Sequence, residues 1–155
     1  MTPGDLRFDV VSEKEADVLI SLARAFHEED GHRLSAAGER ALHAIAGGEP
    51  LARCWLIRLA EETIGYVVLT LGYSVEHGGR DGFIDDLYVI DAARGRGVGA
   101  AALEFAVAEA AELGIRTLHL EAAPENERAI GLYRRRGFKE NGRRLMSLRL
   151  HTAGR

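Results

Sequence analysis

The chain has 155 residues, a formal net charge of −4 and a pI near 5.9, with 46% hydrophobic and 28% charged residues. This size and balance are typical of one globular domain that buries its own core without disulfides or structural metals. The negative charge argues against partners held by bulk electrostatics, such as nucleic acid or an anionic membrane, and favours a cationic partner.

Cysteine usage and the first residues indicate where the protein works. Cys54 is the only cysteine, and the six histidines show no clustered metal-ligand spacing. The first eleven residues carry Asp5, Arg7 and Asp9 and lack the apolar stretch of a signal peptide. The longest apolar runs are far shorter than the roughly 20 residues that span a bilayer. We expect a cytoplasmic protein that binds no metal, nucleic acid or membrane.

The first third of the chain predicts one strand and two helices. Apolar residues alternate with polar ones at Leu6, Phe8 and Val10, which favours a half-buried strand. Ser12 and Glu15 form an S-x-x-E capping box. This box predicts a helix that places four apolar residues on one face: Val18, Leu19, Leu22 and Phe26. A second helix is predicted from Ser35 to the glycine pair at positions 47 and 48.

The rest of the chain predicts further strands and helices in alternation. Residues 54–59 and 64–71 favour antiparallel strands, and the glycine-rich residues 72–82 predict a loop that contains Tyr73. The next predicted elements are a strand over 83–90, a helix over 97–113 and a short strand over 117–121. A last helix over 127–136 and a last strand over 145–150 complete the chain.

A glycine-rich segment joins the strand over 83–90 to the long helix. It consists of Arg94, Gly95, Arg96, Gly97, Val98, Gly99 and Ala100. Glycines remove Cβ atoms where a backbone approaches a ligand, and the N–H groups at a helix N-terminus attract negative charge. Because two arginines add positive charge, a pyrophosphate is the natural ligand of this segment.

Other interpretations of these glycines differ in the motif that each requires. They could simply shape a turn. A Walker A loop is excluded because no Gly-Lys-Ser/Thr closes the motif. The positions Gly95, Gly97 and Ala100 formally satisfy the dinucleotide fingerprint G-x-G-x-x-A, with Glu121 as a possible ribose-binding acid. However, residues 91–94 separate the strand from the first glycine, and too little chain follows for a doubly wound sheet.

The segment resembles the acetyl-CoA signature Q/R-x-x-G-x-G/A of the GNAT superfamily of N-acetyltransferases, and it follows a strand that ends Leu87-Tyr88-Val89, as in that family. A second family element resembles residues 126–138, which read Asn-Glu-Arg-Ala-Ile-Gly-Leu-Tyr-Arg-Arg-Arg-Gly-Phe. The motifs cover about residues 83–138, and the remainder agrees only in the order of its elements.

The resemblance implies a single acetyltransferase domain over residues 1–155 with a mixed α/β fold. Its central sheet would be mostly antiparallel, with about six to seven strands flanked by helices. The order would be a strand, two helices, three strands, a helix, a strand, a helix and two strands.

The resemblance also implies how acetyl-CoA binds. The fourth and fifth strands would separate and admit the pantetheine arm, whose amides would pair with the backbone around Leu87, Tyr88 and Val89. The pyrophosphate would meet the N–H groups of residues 94–100. Asn126 would contact the coenzyme, cap the last helix, or do both.

The candidate catalytic residues are Tyr133 and Asp85. Tyr133 occupies the position of the family tyrosine that protonates the departing thiolate. Resemblance to the diamine and polyamine N-acetyltransferases, whose strand reads Leu-Glu-Asp, places their glutamate at Asp85, which would act as the base directly or through a water. Strand alternation places the neighbouring Asp86 on the opposite face, where it would bind a cationic substrate.

The acceptor is less well indicated than the donor. A charged run between the first two helices, residues 27–32, supplies Glu28 and Glu29 as candidate substrate-binding residues, and Tyr73 is a third. With the negative net charge they favour a primary amine of a small cationic molecule. A homodimer is expected by resemblance, and a non-catalytic acyl-CoA-binding module is the alternative function.

Overall fold

The computed structural model describes residues 3–151 of the chain. The chain divides into two compact units, Met1–Glu121 and Ala122–Arg155. The larger unit contains five strands, which are β1 (Leu6–Val10), β2 (Ala52–Leu59), β3 (Glu62–Ser74), β4 (Gly79–Val89) and β5 (Thr117–His119). Its helices are α1 (Ala16–Glu29), α2 (Ala36–Ala46) and α3 (Val98–Glu112). The smaller unit contains α4 (Glu127–Arg136).

The five strands form one sheet in the order β1-β2-β3-β4-β5. The first four strands pair antiparallel with their neighbours, and β4 pairs parallel with β5 after the crossover through α3. This arrangement confirms the predicted mixed α/β fold with a mostly antiparallel sheet. The predicted count of six to seven strands was too high for the described residues.

The starts of α1 and α2 follow the capping signals of the sequence. Ser12 and Glu15 form the predicted capping box, in which the Ser12 N–H donates to the Glu15 carboxylate at 3.1 Å. The Ser35 hydroxyl accepts a 3.0 Å hydrogen bond from the Gly38 N–H at the start of α2. The predicted apolar face of α1 was wrong at Val18, which is exposed. Helix α1 instead buries Ala16, Leu19, Ile20 and Ala23.

The two faces of the sheet are covered by different helices. One face, called here the α1/α2 face, packs Cys54, Leu56, Tyr66, Val68 and Tyr88 in one core cluster with α1 and α2. Trp55 points to the opposite face, called here the α3 face, where its ring contacts Phe105 of α3 at 5.3 Å between centroids. Trp55 is 5% exposed and belongs to the core.

The prediction of a loop over residues 72–82 was wrong except at residues 75–78, which form a turn. Strands β3 and β4 continue as a hairpin in which Gly72 pairs with Asp81 and Tyr73 pairs with Arg80. A Cβ on Gly72 would lie 2.6 Å from a carboxylate oxygen of Asp81. Gly72 therefore permits a close approach of paired strands, a role that a sequence pattern does not distinguish from that of a loop glycine.

Gly65 has a similar role in the centre of the sheet, and it gives a stability prediction. A Cβ at this position would overlap the backbone carbonyl oxygen of Tyr88, which cannot move without disturbing β4. Gly65→Ala should lower the free energy of unfolding by about 2–4 kcal/mol, because overpacking in a rigid core displaces backbone. Gly4→Ala is the matched control, since nothing lies within 4 Å of its Cβ. Urea denaturation that finds equal stability for the two variants would contradict this prediction.

The smaller unit begins with the capped helix α4. The Asn126 side chain accepts a 3.3 Å hydrogen bond from the Ala129 N–H, which confirms the capping function of this residue. The helix ends at Gly137, whose φ of 110° is left-handed. The predicted strand over residues 145–150 is not formed in the described part of this unit, 122–151. Alternation indicates which faces the side chains take, but a strand also needs a neighbour to pair its backbone, and the described residues of this unit, 122–151, contain no strand to pair with.

Candidate functional site

A β-bulge interrupts β4 at Asp85. Val68 pairs with Asp86 and the next residue of β3, Leu69, pairs with Ile84, so the register skips Asp85. The bulge overturns the simple alternation predicted for this strand. Because register partners share a face, Phe83 lies on the same face as Asp86, and Ile84 on the same face as Leu87.

The edge of β4 beyond the bulge is open toward β5. Strand β5 pairs only with residues 81–83 of β4. The Ile90 N–H donates to the Ile64 carbonyl at 2.8 Å, which makes these residues a hydrogen-bonded pair. Antiparallel pairs alternate, so Tyr88 and Asp86 direct their backbone groups toward β3. Leu87 and Val89 direct theirs to the open side, where the Val89 carbonyl accepts a hydrogen bond from Arg94, and the backbone groups of Leu87 and the Val89 N–H face the space that an extended ligand would enter.

The open edge leads to the N-terminus of α3. Gly97 is the N-cap with φ 79°, and Gly95 has φ 77°, so both glycines adopt the left-handed region that other residues avoid. The first intrahelical bond runs from the Ala101 N–H to the Gly97 carbonyl at 3.0 Å. The N–H groups of the preceding helical residues, 98–100, therefore have no partner inside the helix and can bind an anion.

The side chain of Arg94 has well-defined partners within the larger unit. Its Nε donates to the Val89 carbonyl at 2.9 Å, and its NH2 group donates to both carboxylate oxygens of Glu29 at 2.8 and 3.0 Å. The guanidinium also lies 5.6 Å from the ring centre of Tyr88, whose hydroxyl donates to Glu29 at 2.8 Å. Arg94 was predicted to bind pyrophosphate and Glu29 to bind substrate, but in this structure they bind each other.

These contacts determine the ionisation of the Glu29–Tyr88 pair. Burial raises the pKa of Glu29, but hydrogen bonds from Tyr88 and Arg94 outweigh it and lower the pKa overall. Burial and the neighbouring Glu29 carboxylate raise the pKa of Tyr88. The Arg94–Glu29 ion pair therefore stays charged near neutral pH and connects the end of α1 to the loop before α3.

Asp86 lies half-buried on the α1/α2 face, next to the open edge. Its Oδ2 accepts a 2.8 Å hydrogen bond from the Tyr66 hydroxyl, and the same oxygen lies 3.8 Å from Nε2 of His27. Burial raises the pKa of Asp86, and the charge of Asp85 adds to the shift, while Tyr66 and His27 act against it. A carboxylate with a raised pKa beside an open strand edge is a candidate proton acceptor.

Asp85 has a different environment from its neighbour. Its side chain is exposed, and its position in the bulge leaves it without a register partner in β3. The sequence prediction assigned the base to Asp85 and cation binding to Asp86. The geometry favours Asp86 over Asp85 as the proton acceptor, because Asp86 is the carboxylate with buried hydrogen-bonding partners.

A second polar pair lies where β4 and β5 separate. Nε2 of His119 is 3.2 Å from Oδ2 of Asp81, and the His119 ring contacts those of Phe83 and His77 at centroid distances of 5.0 and 5.1 Å. Phe83 and His119 are the last register pair of the parallel strands. The pair therefore lies on the α1/α2 face at the start of the opening, a position that the sequence prediction missed.

The remaining acceptor candidates lie apart from one another. Glu28 lines an open groove of about 760 Å³ at the end of α1, together with Arg24, His32, Arg33, Leu34 and Glu39. Tyr73 is 82% exposed on the extended hairpin of β3 and β4. Within residues 3–151 there is no group of three or more His, Cys, Asp or Glu side chains placed to hold a metal ion. Across the same range, no helix has the length and apolar character needed to cross a membrane.

Two further predicted site residues belong to the smaller unit. Tyr133 lies on α4, and its ring contacts Phe138 at 6.1 Å between centroids. Burial raises the pKa of Tyr133, so its phenol remains protonated at neutral pH. Asn126 caps the same helix, as described above.

Sequence reasoning missed the partners of Asp86. Tyr66 is fully buried in β3, where its aromatic ring is typical of a core strand residue and gives no separate signal. His27 belongs to the charged run that was singled out, but only its glutamates were proposed to bind substrate. The approach of α1 to β4 brings these residues together over long sequence separations, and no motif encodes it.

Comparisons with known proteins point to one family. The sequence profile of the acetyltransferase (GNAT) family matches residues 17–138. An integron cassette protein from the mobile metagenome of Cole Harbour Salt Marsh is 39% identical, with a TM-score of 0.81, over 96% of this chain and 92% of that one.

More distant solved structures share the fold alone. The ribosomal-protein-alanine N-acetyltransferase of Brucella melitensis biovar Abortus 2308 is 19% identical with a TM-score of 0.76, over 94% of this chain and 99% of that one. An aminoglycoside acetyltransferase from an uncultured soil metagenomic sample is 14% identical with a TM-score of 0.77, over 97% and 99% of the two chains. The profile match, which covers most of the chain, and the fold lead to the same conclusion: this protein belongs to the acetyltransferase (GNAT) family.

Proposed function

We propose that this protein transfers the acetyl group of acetyl-CoA to the primary amine of a small cationic molecule by direct attack in a ternary complex. One observation carries the proposal. The open edge of β4 at Leu87 and Val89 leads from the half-buried carboxylate of Asp86 to the N-terminus of α3. A site with these three parts offers a place for an extended donor, an anion and an amine.

The donor site has the chemistry that acetyl-CoA requires. The backbone N–H and carbonyl groups of Leu87 and the N–H of Val89 are directed to the open side and would pair with the pantetheine amides. The N–H groups of residues 98–100 would bind the pyrophosphate, and the left-handed Gly95 and Gly97 leave space for it, since no atom lies within 4 Å of either Cβ position. Acetyl-CoA supplies the acyl group activated as a thioester. Arg96 and Asn126 remain proposed coenzyme contacts.

Two side chains would handle the protons of the reaction. The C–S bond of the thioester is replaced by a C–N bond, and the acceptor ammonium gives up two protons, one to the sulfur and one to solvent. Asp86 accepts the first proton from the ammonium, which frees the nitrogen lone pair for attack. Tyr133 donates a proton to the departing sulfur and recovers one from the attacking nitrogen or from solvent.

The acceptor class follows from charge. Asp86 lies next to the proposed acyl site, Glu28 lines the neighbouring groove, and the whole chain carries a formal net charge of −4. Both carboxylates and the negative net charge favour a cationic acceptor. Polyamines and aminoglycosides have this chemistry, and aminoglycoside acetyltransferases share the fold.

A panel of acceptors tests the function. Purified protein is mixed with acetyl-CoA and a polyamine, an aminoglycoside, a free amino acid or a lysine peptide, and thiol release and the acetylated product are both measured. We expect release with the multiply cationic small molecules. Stabilisation of the protein by acetyl-CoA but not by NAD in a melting experiment would support the donor assignment. Tight acetyl-CoA binding without release for any acceptor would favour the alternative, a non-catalytic acyl-CoA-binding module.

The assignment of the base gives a direct comparison of two adjacent residues. Asp86→Asn should lower turnover by about 10²-fold near pH 7, because the variant keeps its shape and loses the proton acceptor. The deficit should shrink toward pH 10, since an amine with a pKa of roughly 10.4 loses its proton in solution. Asp85→Asn is the control, and we expect it to remain close to the wild-type rate. If Asp85→Asn carries the large, pH-dependent loss instead, then Asp85 is the base, as the sequence alone predicts.

A further inference from the structure

His27 lies behind the proposed base, on the side of α1. Its Nε2 is 3.8 Å from the same Oδ2 of Asp86 that accepts the Tyr66 hydrogen bond, and the side chains of His27 and Asp86 are 23% and 16% exposed. This separation exceeds a direct hydrogen bond by under about 1 Å, so a small movement of the ring or one bridging water closes it. Neither contact involves Oδ1 of Asp86.

His27 is in turn connected to the surface. Its ring meets that of His32 edge-on, with centroids 4.9 Å apart and an interplanar angle of 81°. His32 is exposed and lines the open groove at the end of α1. The three side chains therefore form a series from a half-buried carboxylate to solvent.

We infer that His27, with His32 beyond it, relays the proton that Asp86 takes from the acceptor amine to the groove and so resets the base for each turnover. The inference rests on the proposed function. The chemistry requires such a step, because each acetylation of an ammonium releases one net proton, and a base that keeps its proton cannot act again. In the relay, the Asp86 O–H bond breaks as an N–H bond forms on His27, which then loses its proton toward His32 and water.

The other groups around Asp86 do not offer this route. Tyr66 is already the donor to the carboxylate, and burial raises its pKa, so it does not accept a proton. Burial raises the pKa of Cys54, on β2, to about 12, which keeps it as a thiol. Asp85 acts on Asp86 through its charge. Among the titratable groups that contact or electrostatically influence Asp86 within the larger unit, His27 is the one that carries an imidazole, the side chain that proteins commonly use to shuttle protons, and that leads outward to His32.

A titration tests the coupling without any knowledge of the acceptor. The carboxyl carbon of Asp86 is followed by NMR in protein with labelled aspartate, and the signal is assigned by its loss in Asp86→Asn. A positive or hydrogen-bonding neighbour favours the carboxylate, so removal of the imidazole in His27→Asn should raise the pKa of Asp86. His43→Asn is the matched control, because His43 is exposed on α2, and it should leave the titration unchanged. An unchanged Asp86 titration in His27→Asn would overturn the inference.

Turnover tests the relay itself once an acceptor is identified. We expect His27→Ala and His27→Asn to lower kcat by about tenfold with an unchanged KM for acetyl-CoA, and added imidazole should restore most of the kcat of His27→Ala. If the wild type is active but both variants match it at every buffer concentration, the relay is wrong and the proposed function stands. If the wild type acetylates no amine in the panel, the proposed function and the relay fall together.

Discussion

Gly97→Glu should weaken the binding of acetyl-CoA by about 30-fold or more. The substitution places a carboxylate at the N-cap of α3, where the N–H groups of residues 98–100 are directed at the proposed pyrophosphate. Two like charges about 4 Å apart repel by about 4 kcal/mol at an effective dielectric constant near 20. Solvent screening at this exposed position reduces the repulsion, and half of that value still corresponds to about 30-fold in Kd. Calorimetric titration with acetyl-CoA measures the effect.

The other end of the same helix provides a control for backbone strain. Gly114 has φ 77°, close to the 79° of Gly97, and no atom lies within 4 Å of either Cβ position. Gly114→Glu therefore imposes the same strain and the same charge far from the helix N-terminus. It should leave acetyl-CoA binding unchanged and should lower stability more than Gly97→Glu, because a carboxylate at a helix C-terminus opposes the helix dipole. Equal binding by the two variants would remove the glycine segment from the donor site.

Tyr133→Phe should lower turnover by about 10²–10⁴-fold and leave acetyl-CoA binding intact. The variant keeps the ring that packs against Phe138 and removes only the hydroxyl. General acid catalysis contributes a factor of this size when the proton donor is lost. Because burial raises the pKa of Tyr133, the acid form should persist beyond pH 10, and the wild-type rate should not decline below that pH through loss of this proton. Single-turnover kinetics with saturating acetyl-CoA separate the chemical step from binding.

Phe138→Leu distinguishes the acid from a structural tyrosine. This variant removes the neighbouring ring and keeps the phenol, so a packing defect should affect it at least as much as Tyr133→Phe. We expect Phe138→Leu to retain most of the turnover at a temperature where it is folded. If both variants lose activity in proportion to their loss of stability, Tyr133 serves the fold and another group protonates the sulfur.

The sequence predicts the order of the elements well because their boundaries depend on local chemistry. The capping residues Ser12 and Ser35 and the terminal glycine after α4 operate within one helical turn, so a short pattern contains the whole signal. The hairpin at Gly72 is different. Its glycines have the composition of a loop, and their role depends on a partner strand that local patterns do not identify.

The site shows the same division between local and long-range information. The glycine segment before α3 is contiguous, so a short pattern is enough to single it out, and Gly95 and Gly97 adopt the positive φ angles that favour glycine. The bulge at Asp85 is invisible to simple alternation, because a single skipped residue reverses which side chains share a face. The change of proposed base from Asp85 to Asp86 depends on the hydrogen bond of Asp86 with Tyr66 and on its approach to His27, which are long-range contacts.

The contact between Glu29 and Arg94 illustrates a limit of assigning roles by charge. Both residues carry the charge expected of a ligand-binding group, one for the amine and one for the pyrophosphate. In the fold the two side chains form an ion pair at 2.8 Å, and Arg94 also donates a hydrogen bond to the Val89 carbonyl at 2.9 Å. A sequence shows that both charges exist, but only the packing of α1 beside the loop before α3 shows that they are paired.

The deep burial of Cys54 has a practical consequence for measurements on this protein. Cys54 is the only cysteine, it is 2% exposed, and its thiol has a pKa of about 12. At pH 8 only about one molecule in 10⁴ carries the thiolate that reacts with disulfide dyes. A dye of this kind therefore measures the coenzyme thiol that is released during turnover, and the folded protein contributes almost no background signal. In a denaturant series without acetyl-CoA, the same dye reports the fraction of chains that have opened, so one reagent follows both catalysis and unfolding.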